Sequence, residues 1–263
     1  PITRLFITGV SPVTLDDVTS GFNIGTNVSL EPGLNRMLGF TREDVFEMID
    51  YYRVNGVITH PTEYIMEIMT EWYGNYRFSP KDNVDLYNPD MVLYFINKCI
   101  LGHDIPDDLI DQNVRIDYGK LRHLIILDRG ETKTPITNGN FSKLKEIIEE
   151  GGTSSIISQG FPLEEMMNAN NFKSLLFYFG LLTIKGIEKD NVRLEIPNET
   201  VKRLFYDYIK QAYRETGVFN LDLSKYAGLM TNLGYDGEWK PFFNYICGLL
   251  RESMSLRDLI TGE

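Results

Sequence analysis

Two periods of hydrophobicity divide the chain. Ile2 to Thr8 is a short apolar and β-branched run closed by Gly9. With so little alternation, it predicts a strand buried on both faces, as in the parallel sheets of α/β domains. Gly9 to Ile24 reads as loop, and Asn27 to Leu30 as a short neighbouring strand. Two short strands do not make a stable sheet, so the pattern expects partner strands outside these residues. From Thr41 the spacing becomes helical. Thr41 is a good N-cap with Asp44 three residues on, and Val45, Met48, Ile49 and Tyr52 follow at helical intervals. Thr62 opens a second helix, with Ile65, Met66, Ile68, Met69 and Trp72 on its apolar side. Trp72 to Phe78 is a glycine turn rich in aromatics, and Pro89 suits the first turn of a helix over Asp90 to Ile100. Ile105 to Leu127 predicts one or two more helices, Phe141 to Glu150 another closed by Gly151, and Ser154 to Gly160 a loop or short strand.

The clearest supersecondary pattern runs from Asn171 to Tyr213. Phe172 to Phe179 is helical and ended by Gly180. Leu181 to Lys185 and Val192 to Ile196 read as a hairpin around a polar, glycine-containing turn. Pro197-Asn198-Glu199 then starts an amphipathic helix carrying Val201, Leu204, Phe205, Tyr208 and Ile209 on one face. Helix, hairpin, helix is the outline of a winged-helix half. Leu221 to Leu250 is helical again, and Ser255 to Glu263 reads as linker. The expected class is mainly α with a small β component.

Composition narrows the function. The chain has 263 residues, 43% of them hydrophobic and 24% charged, enough for one sizeable core or two smaller ones and too apolar for wholesale disorder. Thirty-seven acidic residues against 26 basic ones give a net charge of −11, which repels phosphate backbones and argues against the chain holding nucleic acid. With only Cys99 and Cys247, a disulfide framework or cysteine zinc site is excluded and a reducing, cytoplasmic setting is expected. No apolar run approaches the roughly 18 residues of a membrane span. Pro1 stands where a start methionine would, no signal-peptide pattern follows it, and the chain reads as part of something longer.

The chemistry-bearing motifs are few. No G-x-x-x-x-G-K-[ST] loop cradles phosphates, no apolar run ends in Asp-Glu to hold magnesium, and no G-x-S-x-G elbow appears. His60, His103 and His123 lack metal-ligand spacing. Phe6 to Val13 places Thr8, Gly9 and Ser11 at the carboxyl end of a buried strand, where α/β sheets bind ligands; on residues alone, capping of a turn explains the two hydroxyls better. The cluster Trp72, Tyr73, Tyr76 and Phe78 suggests base stacking, but with Arg77 alone supplying charge, packing is the better reading. The helix Val201 to Arg214, with Lys202, Arg203, Lys210 and Arg214 against Asp207 and Glu215, is only weakly basic for reading DNA.

At these residues the chain resembles a known family. The phrase LFITGVSPVTLDDVTSGFNIGTNVSLEPGLNRMLGFTREDVFEMI, then EWYGNYRF, the Tyr-Asn-Pro at 87–89, and LLFYFGLLTIKG followed by IPNETVKRLF look like the bacterial AAA-ATPase-like family. In that family an ATPase domain is commonly fused to a PD-(D/E)XK nuclease-like domain. The resemblance covers nearly the whole chain. It implies that the FITG strand is the sensor-1 strand of a P-loop ATPase sheet, with Thr8, Gly9 and Ser11 as nucleotide-sensing candidates. The division it implies is 1–60 as the C-terminal edge of the ATPase α/β domain, 61–160 helical, 161–254 winged-helix-like and helical lid, and 255–263 linker to the nuclease-like domain. Walker A, Walker B and the nuclease carboxylates fall outside these positions, so the resemblance implies no catalytic residue here. It expects ATP and magnesium in the intact protein only, with the ATPase core and the nuclease-like domain as partners. The runner-up is a helical protein-interaction module with no nucleotide role.

Overall fold

The computed structural model describes residues 13–14, 27–102, 105–114, 139–162, 165, 168–216 and 222–253. These form two compact units, Pro1–Tyr206 and Asp207–Glu263. The protein is mainly helical with a small three-stranded antiparallel sheet.

In the first unit, α1 (Arg42–Val54) starts on the expected cap. The Thr41 hydroxyl accepts from the Asp44 N–H, and the Asp44 carboxylate accepts from the Thr41 N–H, a reciprocal capping box. Helical spacing then turns Val45 and Ile49 inward, both fully buried. Helix α2 (Thr62–Tyr73) begins at the expected residue, but Thr62 is not its cap. The hydroxyl of Thr62 instead donates to Asp50 (3.0 Å) and accepts from Arg53 (2.9 Å), pinning the start of α2 to the last turns of α1. Helix α3 (Pro89–Ile100) has Asn88 as cap and Pro89 in its first turn. The three helices share one apolar core in which Ile65, Met66, Met69, Tyr73, Val92 and Phe95 are almost wholly buried. Each large apolar side chain so buried contributes about 1.5–3 kcal/mol. Two phenols lie deep in this core: the Tyr73 hydroxyl donates to the Leu109 carbonyl (2.7 Å), and the Tyr87 hydroxyl bonds the Thr70 hydroxyl (2.8 Å).

The sheet follows. After α4 (Gly139–Glu150) and a left-handed Gly151, β2 (Gly152–Ser155) runs antiparallel to β5 (Asn191–Glu195), which pairs with β4 (Thr183–Glu188). The strand order is β2-β5-β4, so the sheet joins residues on both sides of position 160. Gly152 is required here: a Cβ would lie 2.4 Å from the Leu194 carbonyl oxygen. Helix α5 (Ala169–Tyr178) precedes the hairpin and α6 (Glu199–Thr216) follows it. Both match the pattern, and Val201, Leu204, Phe205 and Tyr208 of α6 are buried as expected. Two residues at each of β1 (Val13–Thr14) and β3 (Phe161–Pro162) pair in parallel.

Asn27 to Leu30 is a turn and not a strand. The Asn27 carboxamide accepts from the Ser29 N–H (2.9 Å) and donates to the Gln159 carbonyl (3.0 Å), so a local side-chain bond wins over strand pairing. The strand expected at Ile2 to Thr8 lies outside the described residues, as do most of the helices expected over Ile105 to Leu127.

The second unit contains α7 (Leu223–Asp236) and α8 (Trp239–Ser253), folded back on each other through Gly237 in the left-handed conformation. Asp222 caps α7 through the Ser224 and Lys225 N–H groups. No described side chain of α7 or α8 is buried. Among the described residues, no helix is long and apolar enough to cross a membrane.

Candidate functional site

The aromatic turn after α2 is where the first unit is knotted together. Helix α2 ends at Tyr73 with an extended Gly74 and a left-handed Asn75 (φ 67°). The last carbonyls of a helix lack partners inside it. Here each of four found partners comes from elsewhere in the fold or from the turn itself. The Thr70 carbonyl accepts from the Asn75 side chain (3.1 Å), and the Trp72 carbonyl accepts from the Thr200 hydroxyl (2.7 Å). The Tyr73 carbonyl accepts from the Asn88 N–H (2.9 Å), and the Gly74 carbonyl accepts from the Asn198 side chain (2.9 Å). Asn88 caps α3, and the Asn198 side-chain oxygen accepts from the Val201 N–H at the start of α6. Two helix N-termini therefore meet one helix C-terminus, an arrangement that the helix dipoles favour.

The rest of the turn is bound to the hairpin. Tyr76 pairs antiparallel with Leu86 through two backbone bonds of 3.0 and 2.7 Å. The Arg77 N–H donates to the Thr183 hydroxyl (2.7 Å), and the Ile184 N–H donates to the Arg77 carbonyl (3.2 Å), so residue 77 is sewn to the edge of β4. The Arg77 guanidinium is held by Asp85 at 2.6 Å. Phe78 lies between the Tyr76 and Phe177 rings, with centroids 6.3 and 6.4 Å away. On the α6 side, the Arg203 guanidinium lies over the Trp72 ring at 4.3 Å and also pairs with Glu199.

The Tyr76 phenol sits at the centre. Burial pushes it above its ordinary pKa, against hydrogen bonds with Asn198 and Asn88 that pull it down, so it stays protonated at neutral pH. Among the described residues, no nucleophile or acid–base pair is poised at this turn. The arrangement fixes the positions of α2, α3, α6 and the hairpin relative to one another. This answers the choice between base stacking and packing: Tyr73 and Tyr76 are buried, and Trp72 is covered by Arg203.

Of the nucleotide-sensing candidates, Thr8, Gly9 and Ser11 all lie outside the described residues. Among the described residues, no group of three or more His, Cys, Asp or Glu side chains is placed to hold a metal. His60 packs beside the Tyr64 ring, whereas His103 and His123 lie outside the described residues. Cys99 is buried in α3 and Cys247 is exposed on α8. The residues that sequence reading overlooked are Asn88, Thr183, Asn198 and Thr200. Asn88 and Asn198 each stand just before a helix beginning with or near proline, which signals a cap, but nothing local signals that both caps reach the same turn.

Comparison with protein families, with curated proteins and with solved structures returns no match.

Proposed function

We propose that this chain is the sensor and lid portion of an AAA-ATPase-like protein, coupling ATP binding or hydrolysis to a PD-(D/E)XK nuclease-like domain. In this reading Thr8, Gly9 and Ser11 sense the nucleotide, ATP and magnesium are held by the intact protein, and the chain alone turns over no ATP. The observation that carries the proposal is the junction at Gly74. Four separated motifs of the family resemblance meet there: EWYGNYRF, the Tyr-Asn-Pro of 87–89, LLTIKG through Thr183, and IPNET through Asn198 and Thr200. A module that must follow a nucleotide site as a rigid body needs such a tie between its helical and hairpin parts.

The order α4, β2, β3, α5, β4, β5, with the sheet arranged β2-β5-β4, suits a winged-helix-like lid. Neither helix beside the hairpin suits a DNA reader. Helix α5 buries Phe172, Ser174, Leu175, Leu176 and Phe177, and on α6 both Lys202 and Arg203 are engaged by Glu199. The lid reading is therefore preferred to DNA recognition by this segment.

The test uses the protein encoded by the complete gene. The proposal expects magnesium-dependent ATP hydrolysis that Thr8→Ala slows by roughly tenfold or more, the size typical of losing one positioned polar contact to a reacting phosphate, with helicity unchanged. A complete protein that neither binds nor hydrolyses ATP would reject the reading in favour of an interaction module.

A further inference from the structure

The capping box that starts α1 fixes which of its faces looks outward. With Val45 and Ile49 turned into the core, the spacing of a helix places Asp44, Glu47, Met48 and Tyr51 together on an adjacent face. That face borders a groove of about 750 Å³ whose other side is formed by Leu93 of α3, with Tyr52 in its wall. Two of its apolar members are open to solvent, Tyr51 at 63% and Leu93 at 49% exposed, above a floor that includes buried Ile96. Ile100 at the end of α3, Leu101 just after it and Val54 at the end of α1 are at least half exposed as well. Contiguous apolar surface on water-facing helices marks an interaction site more often than isolated exposed residues do.

Charge narrows the occupant. Among the described residues, the groove lining includes two carboxylates and no basic side chain. Asp44 is kept ionised by hydrogen bonds from the Thr41 backbone N–H and hydroxyl, which hold its pKa below the usual carboxylate range. Glu47 has no ion-pair partner among the described residues. The nearest basic residue further along α1, Arg53, is committed to Asp50 at 2.8 Å and to Thr62 at 2.9 Å. An acid-rimmed apolar groove repels nucleic acid and anionic lipid. A second copy of this chain meeting this face with its own would bring the same carboxylates against these. A small cation would leave the exposed apolar side chains of the groove, Tyr51 and Leu93, uncovered. An amphipathic helix with apolar residues at three- and four-residue spacing, flanked by lysine or arginine, satisfies both these side chains and the rim.

We propose that the α1–α3 groove docks an amphipathic helix of a partner protein, with its apolar side against Met48, Tyr51 and Leu93 and a Lys or Arg against Glu47. The inference stands on this face alone and does not depend on the nucleotide-coupling reading.

The probe is a fluorescent leucine–lysine model peptide of about 14 residues, close to the length of α1, with leucines at helical spacing. A leucine–glutamate peptide of the same pattern is its counterpart. At physiological salt, the full chain is expected to bind the lysine peptide and not the glutamate one. Glu47→Lys is expected to weaken binding by roughly tenfold and Leu93→Asp or Tyr51→Ser by at least as much. Glu149→Lys, which makes the same charge change at an exposed position of α4 outside the groove lining, is expected to leave binding within about twofold because charges outside a contact matter little. Leu93 and Tyr51 are exposed enough that circular dichroism should show both variants folded. Absence of peptide binding, equal weakening by Glu47→Lys and Glu149→Lys, or indifference to both apolar variants would each overturn the proposal. Self-association of the chain that Leu93→Asp abolishes would assign the groove to a second copy and overturn it as well.

Discussion

At the scale of single residues, the junction is decided by what does not fit and by what has no partner. Gly74 has ordinary negative φ, so its requirement is space: a Cβ would lie 2.9 Å from the Thr70 carbonyl oxygen, 3.1 Å from the Thr70 Cα and 3.2 Å from the Tyr87 ring. Two of those neighbours are helix backbone and cannot step aside. Gly74→Ala is therefore expected to lower stability by about 1–3 kcal/mol, the range for overpacking a tight site. Tyr178, one residue past Phe177 at the edge of the same aromatic group, gives the opposite sign. Its hydroxyl is buried without a hydrogen-bond partner among the described residues, and burial raises its pKa. Tyr178→Phe removes an unpaired polar atom while keeping the ring, so it is expected to be neutral or stabilising by up to about 1 kcal/mol. Urea unfolding of the two variants checks both signs; a costly Tyr178→Phe or a neutral Gly74→Ala would contradict this reading of the turn.

At the scale of elements, what could be read from sequence was whatever is local. Helices α1 and α3 announce themselves by caps and by apolar residues at helical spacing, and the hairpin by two apolar runs around a polar turn. Strand β2 does not, because Gly152-Thr153-Ser154-Ser155 has no apolar alternation; its extended form comes from pairing with β5 about forty residues later. Asn27 to Leu30 failed in the other direction, since a carboxamide bond to its own backbone settled a turn. The junction was legible as a glycine turn only. Its partners Thr183 and Asn198 stand 106 and 124 residues away from the groups they bind, a separation no local pattern encodes. The Thr183 hydroxyl joins the turn to β4 by accepting from the Arg77 N–H and donating to the Arg77 carbonyl (3.4 Å). Thr183→Val keeps the shape but strands that N–H, and a loss of about 1–3 kcal/mol is expected in the midpoint of urea unfolding. No change would mean that water replaces the hydroxyl and that the Ile184 N–H bond to the Arg77 carbonyl is tie enough.

At the scale of the whole molecule, charge and topology point to different tasks for the hairpin region, and charge prevails. Net charge is −11, and Lys202 and Arg203, the two basic residues nearest the start of α6, share Glu199 as partner. Non-specific affinity for a duplex arises almost wholly from neutralised phosphates. Fluorescence anisotropy is therefore expected to show at most weak binding of duplex DNA to this chain at physiological salt; tight binding that Lys202→Glu abolishes would show that α6 reads DNA.

The central proposal is that the Gly74 junction carries the state of a nucleotide site to the hairpin. Hydrogen-exchange mass spectrometry of the protein encoded by the complete gene, with and without a non-hydrolysable ATP analogue and magnesium, tests this directly. The analogue is expected to slow exchange in residues 74–78 and in β4 and β5. Asn198→Ala, which removes the side chain holding the Gly74 carbonyl, is expected to abolish the change in β4 and β5 while leaving analogue binding intact. Exchange that the bound analogue leaves untouched at the junction, or a hairpin response that survives Asn198→Ala, would contradict the account.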